Sequence, residues 1–252
     1  MVGSYGGLLH NVTMLASRPR RLLGGLMGIL VVSCGAGEES SPAIPWSGTD
    51  QELPQAASPS LRREGPLIVV LGDSLTAGLG LDLDQAYPKL LERRLQKDGH
   101  DVTVINAGVS GDTTAAGLSR VEWALAGDVR ILVLALGGND GLRGLPTEQM
   151  KQNLSEIVSE ARRRDIEVLL AGMEAPPNFG AAYAAEFRKV FRELAQVYDV
   201  GFLPFLLAGV AAEASLNQAD GIHPNAEGAA IVAQRVHEAL EPLLPILIGS
   251  QP

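Results

Sequence analysis

The chain has 252 residues, a net charge of −9 and a pI near 5.0. With 46% hydrophobic residues it can fill one core, while an acidic balance without basic runs excludes nucleic acid as a partner. The single cysteine, Cys34, excludes both an intramolecular disulfide and a cysteine-based zinc site.

Arg18, Arg20 and Arg21 precede an apolar run from Leu22 to Val32. That run is too short to span a bilayer as a helix and suits a secretory signal. It ends in Val31-Val32-Ser33-Cys34-Gly35, which resembles the lipobox of bacterial lipoproteins. The resemblance implies lipidation of Cys34, anchoring to a bacterial envelope membrane and a periplasmic location. An ordinary cleaved secretory peptide is the alternative, and Met14 offers a second start site. Residues 35–65 are rich in Glu, Ser, Gly, Ala and Pro and cannot bury enough apolar area to offset their ordering entropy. They read as a tether, leaving residues 66–247 as one folded domain.

Leu67 to Leu71 is a short apolar strand that breaks at Gly72 and delivers Asp73 and Ser74 just before a segment able to turn helical. A serine there is placed as a nucleophile beside free helix N–H groups, or it is simply a helix cap. Asp84 to Lys97 reads as a helix, with Pro88 in its first turn and Leu90, Leu91 and Leu95 on one face. A second strand, Val102 to Ile105, opens into Asn106-Ala107-Gly108-Val109-Ser110-Gly111-Asp112, and a helix is expected from Thr113 to Ala126. Ile131 to Leu136 is apolar throughout, as a strand covered on both faces is, and ends in Gly137-Gly138-Asn139-Asp140.

Met150, Leu154, Ile157, Val158 and Ala161 mark a covering helix with Thr147 as its cap. Val168 to Ala171 is a fourth strand. Tyr183, Phe187, Val190, Phe191, Leu194 and Val197 mark another helix, and Gly201 to Leu203 a fifth strand. Asp220-Gly221-Ile222-His223-Pro224-Asn225 forms a turn before the last helix, Ala226 to Leu240. Strands alternating with helices imply βαβ crossovers, so the class is α/β with a parallel sheet; the pattern leaves strand order open.

Acyl transfer needs a nucleophile, a base, a base-orienter and oxyanion donors. Ser74 is the candidate nucleophile. Of four histidines, His10 falls in the leader, His100 in a charged turn and His237 among Arg235 and Glu238. His223 stands apart, because Pro224 stiffens its backbone and Asp220 can fold back onto its ring. The Ser74 and Gly111 N–H groups and the Asn139 side chain are candidate oxyanion donors. A plain turn glycine and an Asx turn remain the alternatives for Gly111 and Asn139.

Gly72-Asp73-Ser74-Leu75, Gly111, Gly138-Asn139-Asp140 and Asp220-Gly221-Ile222-His223-Pro224 resemble, in order, the four blocks of the SGNH/GDSL hydrolase superfamily. Gly111-Asp112-Thr113 and the run Gly137 to Gly144 are most similar to its bacterial arylesterase, acyl-CoA thioesterase and lysophospholipase branch. The resemblance implies a three-layer α/β/α, flavodoxin-like fold with five parallel strands. It also implies a Ser74–His223–Asp220 triad, an oxyanion hole of Ser74, Gly111 and Asn139, and neither metal nor cofactor. Asp73 and Asp140, with Pro177, Asn178 and Phe179 of the Met173–Tyr183 loop, make up the expected substrate-binding set. The implied substrates are small acyl esters, thioesters or lysophospholipids, acted on by a monomer. The Glu174-Ala175-Pro176-Pro177 stretch departs from the branch and leaves acyl-length preference open. The same site would also serve a carbohydrate acetylesterase, although 4% aromatics leave few rings for sugar stacking. A third reading is a non-catalytic envelope lipoprotein on this fold.

Overall fold

A computed structural model describes residues 65–248. The expected signal, Cys34 lipobox and linker lie outside the described residues. The chain runs through β1 (Leu67–Gly72), a single helical turn α1 (Ser74–Ala77), α2 (Tyr87–Lys97) and β2 (Thr103–Gly108). Two short helices follow, α3 (Thr114–Ser119) and α4 (Val121–Ala124), then β3 (Val129–Ala135), α5 (Gly138–Leu142) and α6 (Thr147–Arg163). The last part holds β4 (Glu167–Ala171), α7 (Ala181–Tyr198), β5 (Gly201–Leu203) and α8 (Ala226–Leu240).

All strand pairs are parallel and the sheet order is β2-β1-β3-β4-β5. That order is the flavodoxin-like one. The chain steps left from β1 to β2 and rightward ever after. Right-handed crossovers therefore place α2 on one face and α3, α4, α6 and α7 on the other. Packing agrees: α2 lies against α8, and α6 against both α3 and α7. The central strands β1, β3 and β4 are buried almost throughout, which is why their sequences are continuous apolar runs without alternation. Phe187 and Phe191 of α7, with ring centroids 5.5 Å apart, and Met150, Leu154 and Ile157 of α6 cover the α3–α7 face. Among the described residues no helix is long and apolar enough to cross a membrane.

Four local expectations need correction. The helix expected from Asp84 begins at Tyr87. Starting earlier would push Pro88 out of the first turn, where it would lose a hydrogen bond and clash with the preceding turn. Pro146, extended at φ −57° and ψ 124°, caps α6 in place of Thr147, which is already helical. Val197 is 75% exposed and lies off the buried face of α7. The helix expected over Thr113–Ala126 is broken at Arg120, with φ −120° and ψ 7°. Its side chain turns inward there, to acceptors at the ends of two strands.

Candidate active site

The carboxyl ends of β1, β2 and β3 and the turn before α8 converge on one place. At the end of β1, a Cβ on Gly72 would sit 2.0 Å from Thr76 Oγ1 and 3.0 Å from the Ala135 carbonyl oxygen. Glycine is thus needed for close approach, letting α1 fold straight back over the sheet. Gly108 does the same at the end of β2, where a Cβ would lie 2.3 Å from the backbone nitrogen of Ala77. Asp73, not Ser74, caps α1, its Oδ1 accepting the Leu75 N–H at 3.0 Å. Ser74 is therefore the first helical residue, and among the described residues its N–H donates to no acceptor.

Ser74 Oγ lies 2.9 Å from His223 Nε2, and His223 Nδ1 lies 2.7 Å from Asp220 Oδ2. The other carboxylate oxygen of Asp220 accepts the N–H groups of Ile222, at 2.9 Å, and of His223, at 3.0 Å. The His223 backbone and side-chain hydrogen bonds, then the Ile222 N–H, pull the Asp220 carboxyl down to about 2. Ionised over the whole working range, Asp220 keeps the proton of the ring on Nδ1 and leaves the Nε2 lone pair facing Ser74 Oγ.

The histidine turn is itself fastened. Gln218 receives a bond from neither site residue, yet its N–H donates to the His223 carbonyl at 2.8 Å and its Nε2 to the Leu79 and Pro224 carbonyls at 2.7 and 3.0 Å. Asn225 caps α8, accepting from the Glu227 and Gly228 N–H groups. The loop after Ser74 and the loop before α8 are thus joined through one amide side chain.

On the other side of Ser74, Gly111 has φ +86°, a conformation that favours glycine, and its N–H finds no acceptor among the described residues. Its carbonyl accepts from Arg143 Nη2 at 2.9 Å. Asn139 rides on α5, entered through Gly137 at φ +114°. Its Nδ2 donates to Asp73 Oδ2 at 3.3 Å, which fixes the direction of the amide. Burial holds the Asp73 carboxyl up at about 6, against the opposing bonds from Leu75 and Asn139.

Two members of the expected substrate-binding set are buried with protein partners. Asp140 is only 2% exposed, with both oxygens engaged: Oδ2 accepts the Thr114 N–H at 2.8 Å and Oδ1 the Thr114 hydroxyl at 2.6 Å. Asn153 Nδ2 donates to that same hydroxyl at 3.0 Å. Asp140 thus ties α5 to α3 from inside. Asp73, 3% exposed, likewise faces protein instead of solvent. Pro177, Asn178 and Phe179 form an exposed 3₁₀ turn. The Phe179 ring packs beside Gly144 and, at 5.5 Å between centroids, on Tyr183.

An apolar crevice runs from Ser74 and His223 inward between Leu75, Leu79, Leu81, Leu207 and Val232. Sequence reasoning missed Arg120, Arg143, Thr114, Asn153 and Gln218, which hold the site without standing in it. Arg143 falls within the Gly137 to Gly144 run that carries the family resemblance, whereas Arg120 looks like an ordinary residue of one continuous helix.

Residues 70–231 match the GDSL-like lipase/acylhydrolase family. This chain belongs to that family. Esterase TesA of Pseudomonas aeruginosa is 42% identical over 178 residues, covering 70% of this chain and 89% of the relative. Thioesterase 1/protease 1/lysophospholipase L1 of Escherichia coli K12 is 36% identical, covering 70% and 84%. Among solved structures, AlinE4, an SGNH-hydrolase family esterase, is 45% identical with a TM-score of 0.61, covering 72% of this chain and 98% of its own. As a GDSL acylhydrolase the chain is an ester hydrolase, and the sheet with its helices is the fold of its SGNH neighbours.

Proposed function

We propose that the chain is a serine esterase with Ser74 as nucleophile, His223 as general base and Asp220 as its orienter. The observation that carries this reading is the unbroken line Asp220 Oδ2, His223 Nδ1, His223 Nε2, Ser74 Oγ, with steps of 2.7 and 2.9 Å. Ser74 Oγ attacks the acyl carbonyl carbon while its proton passes to His223 Nε2. The carbonyl oxygen, now anionic, is received by the N–H groups of Ser74 and Gly111 and by Asn139 Nδ2, whose remaining hydrogen is free of Asp73. The tetrahedral intermediate collapses as His223 protonates the departing alcohol or thiol. Water, deprotonated by His223, then attacks the acyl-serine and returns the free enzyme and a carboxylic acid.

Substrates of this reading are small acyl esters, with thioesters and lysophospholipids supported by the name of the Escherichia coli relative, thioesterase 1/protease 1/lysophospholipase L1. The Arg-flanked apolar leader supports export, and the lipobox-like segment supports lipidation of Cys34. Ser74→Ala should lose on the order of 10⁶ in turnover of p-nitrophenyl butyrate and all labelling by a fluorophosphonate. Wild-type turnover in that variant refutes the reading. Metabolic labelling with palmitate, lost in Cys34→Ser, tests the anchor.

A further inference from the structure

One cation lies behind the site instead of in it. Arg120 sits at the break between α3 and α4, its side chain 17% exposed. Nε donates to Asp112 Oδ2 at 2.7 Å, Nη1 to the Ala107 carbonyl at 2.9 Å and Nη2 to the Gly72 carbonyl at 3.0 Å. These acceptors belong to three different segments. Gly72 closes β1 two residues before Ser74, Ala107 is next to last in β2, and Asp112 follows Gly111 directly. The Gly72 carbonyl also accepts the Val109 N–H at 3.1 Å, so the ends of β1 and β2 are joined both by backbone and by this guanidinium.

A planar fork with five donors can meet three acceptors lying in separate directions. A lysine ammonium, a point charge on a flexible stem, cannot hold the same three. The helix break is what makes the reach possible, because a continuous α3–α4 helix would carry residue 120 at helical dihedrals. The fork also supplies the counter-charge of Asp112, whose carboxylate is 13% exposed and stands next to Gly111.

We propose that Arg120 is a positioning residue for the reaction, setting the spacing between the Ser74 and Gly111 N–H groups by fastening Gly72, Ala107 and Asp112 to one guanidinium. The inference rests on the reading of those N–H groups as oxyanion donors. Its effect is felt where negative charge develops, for two reasons. Donors act only when held about 3 Å from the oxyanion. Without Arg120, moreover, the Asp112 carboxylate is left unneutralised beside that charge.

The test is steady-state hydrolysis of p-nitrophenyl butyrate by the full chain carrying Arg120→Lys, Arg120→Met, Asp112→Asn or the double change Arg120→Met/Asp112→Asn. Rates are normalised to sites titrated by a fluorophosphonate, so that loss of folded protein does not pass for loss of rate. Arg120→Met should lower kcat roughly 10²-fold, the size of effect that about 1 Å of misplacement produces, with KM little changed. Arg120→Lys should fall between it and the wild type. The double variant should regain part of the rate lost in Arg120→Met, since it removes the unpaired carboxylate. If Arg120→Met does not fold, a fall in kcat at constant KM in Arg120→Lys carries the same meaning. Wild-type kcat per titrated site in Arg120→Lys and Arg120→Met, or a rise in KM with kcat intact, overturns the proposal. Ser74→Ala in the same assay separates the two ideas. A dead Ser74→Ala beside fully active Arg120 variants removes only the clamp, whereas an active Ser74→Ala removes the site reading beneath it.

Discussion

Replacing Asp140 by alanine should harm the fold far more than it harms substrate binding. The carboxylate holds two donors of Thr114, a residue with no solvent exposure, through bonds of 2.8 and 2.6 Å. Truncation leaves both donors buried without that acceptor. Each such group costs about 1–3 kcal/mol, so the variant should lose about 2–6 kcal/mol of a total near 5–15 kcal/mol. With a urea dependence of about 2 kcal/mol per molar, the unfolding midpoint should fall by about 1–3 M. The assay is urea unfolding followed by far-UV circular dichroism, with KM for p-nitrophenyl butyrate measured on the folded fraction in parallel. KM should hold, because both carboxylate oxygens are engaged with Thr114 inside the protein. An unchanged midpoint with a raised KM would refute the reasoning and put Asp140 back in the binding surface.

Asn139→Ala should lower kcat roughly 10²- to 10³-fold with little change in KM, the loss of a donor used in the transition state, as steady-state kinetics would read. Asp73, with its carboxyl held at about 6 against 3.8 in the unfolded chain, binds its proton more tightly when folded. The stability that proton confers is fully present below about pH 4 and lost as pH rises through 6, about 3 kcal/mol in all. Asp73→Asn should flatten that dependence in denaturation midpoints taken from pH 4 to 7; an identical slope in the variant would contradict it. Gly108→Ala should destabilise by about 1–3 kcal/mol and lower kcat as well, since the new Cβ meets the backbone of α1 at 2.3 Å and moves the turn that carries Ser74.

The parts of the molecule legible in the sequence are those that periodicity and chain punctuation encode. β1 and β3 announce themselves as unbroken apolar runs because helices cover both their faces, and α8 begins and ends where Asn225 and Leu240 say it should. Ser74 stands out as a polar residue just past an apolar strand and His223 by its Asp220 and Pro224 neighbours, while spacing leaves Gly111 and Asn139 level with a turn glycine and an Asx turn until the family resemblance singles them out. What stayed hidden depends on side chains meeting across the fold. Arg120 looks like an ordinary surface residue of a helix until the backbone bends and turns it toward Gly72. Asp140 reads as part of a polar loop, and only the packing of α5 against α3 commits both its oxygens to Thr114. Neither contact, at sequence separations of 48 and 26, leaves a pattern in a local window.

The bond between Gln218 and the Leu79 carbonyl joins segments 139 residues apart, and the Ser74–His223 pair spans 149. Contacts of such range form only after most of the chain-closure entropy has been met. On the proposed triad, a chain whose α8 has not docked holds Ser74 apart from His223 and hydrolyses no ester. Hydrolysis becomes a self-reporting measure of complete folding: during refolding, activity should return with the slowest structural phase and never ahead of it.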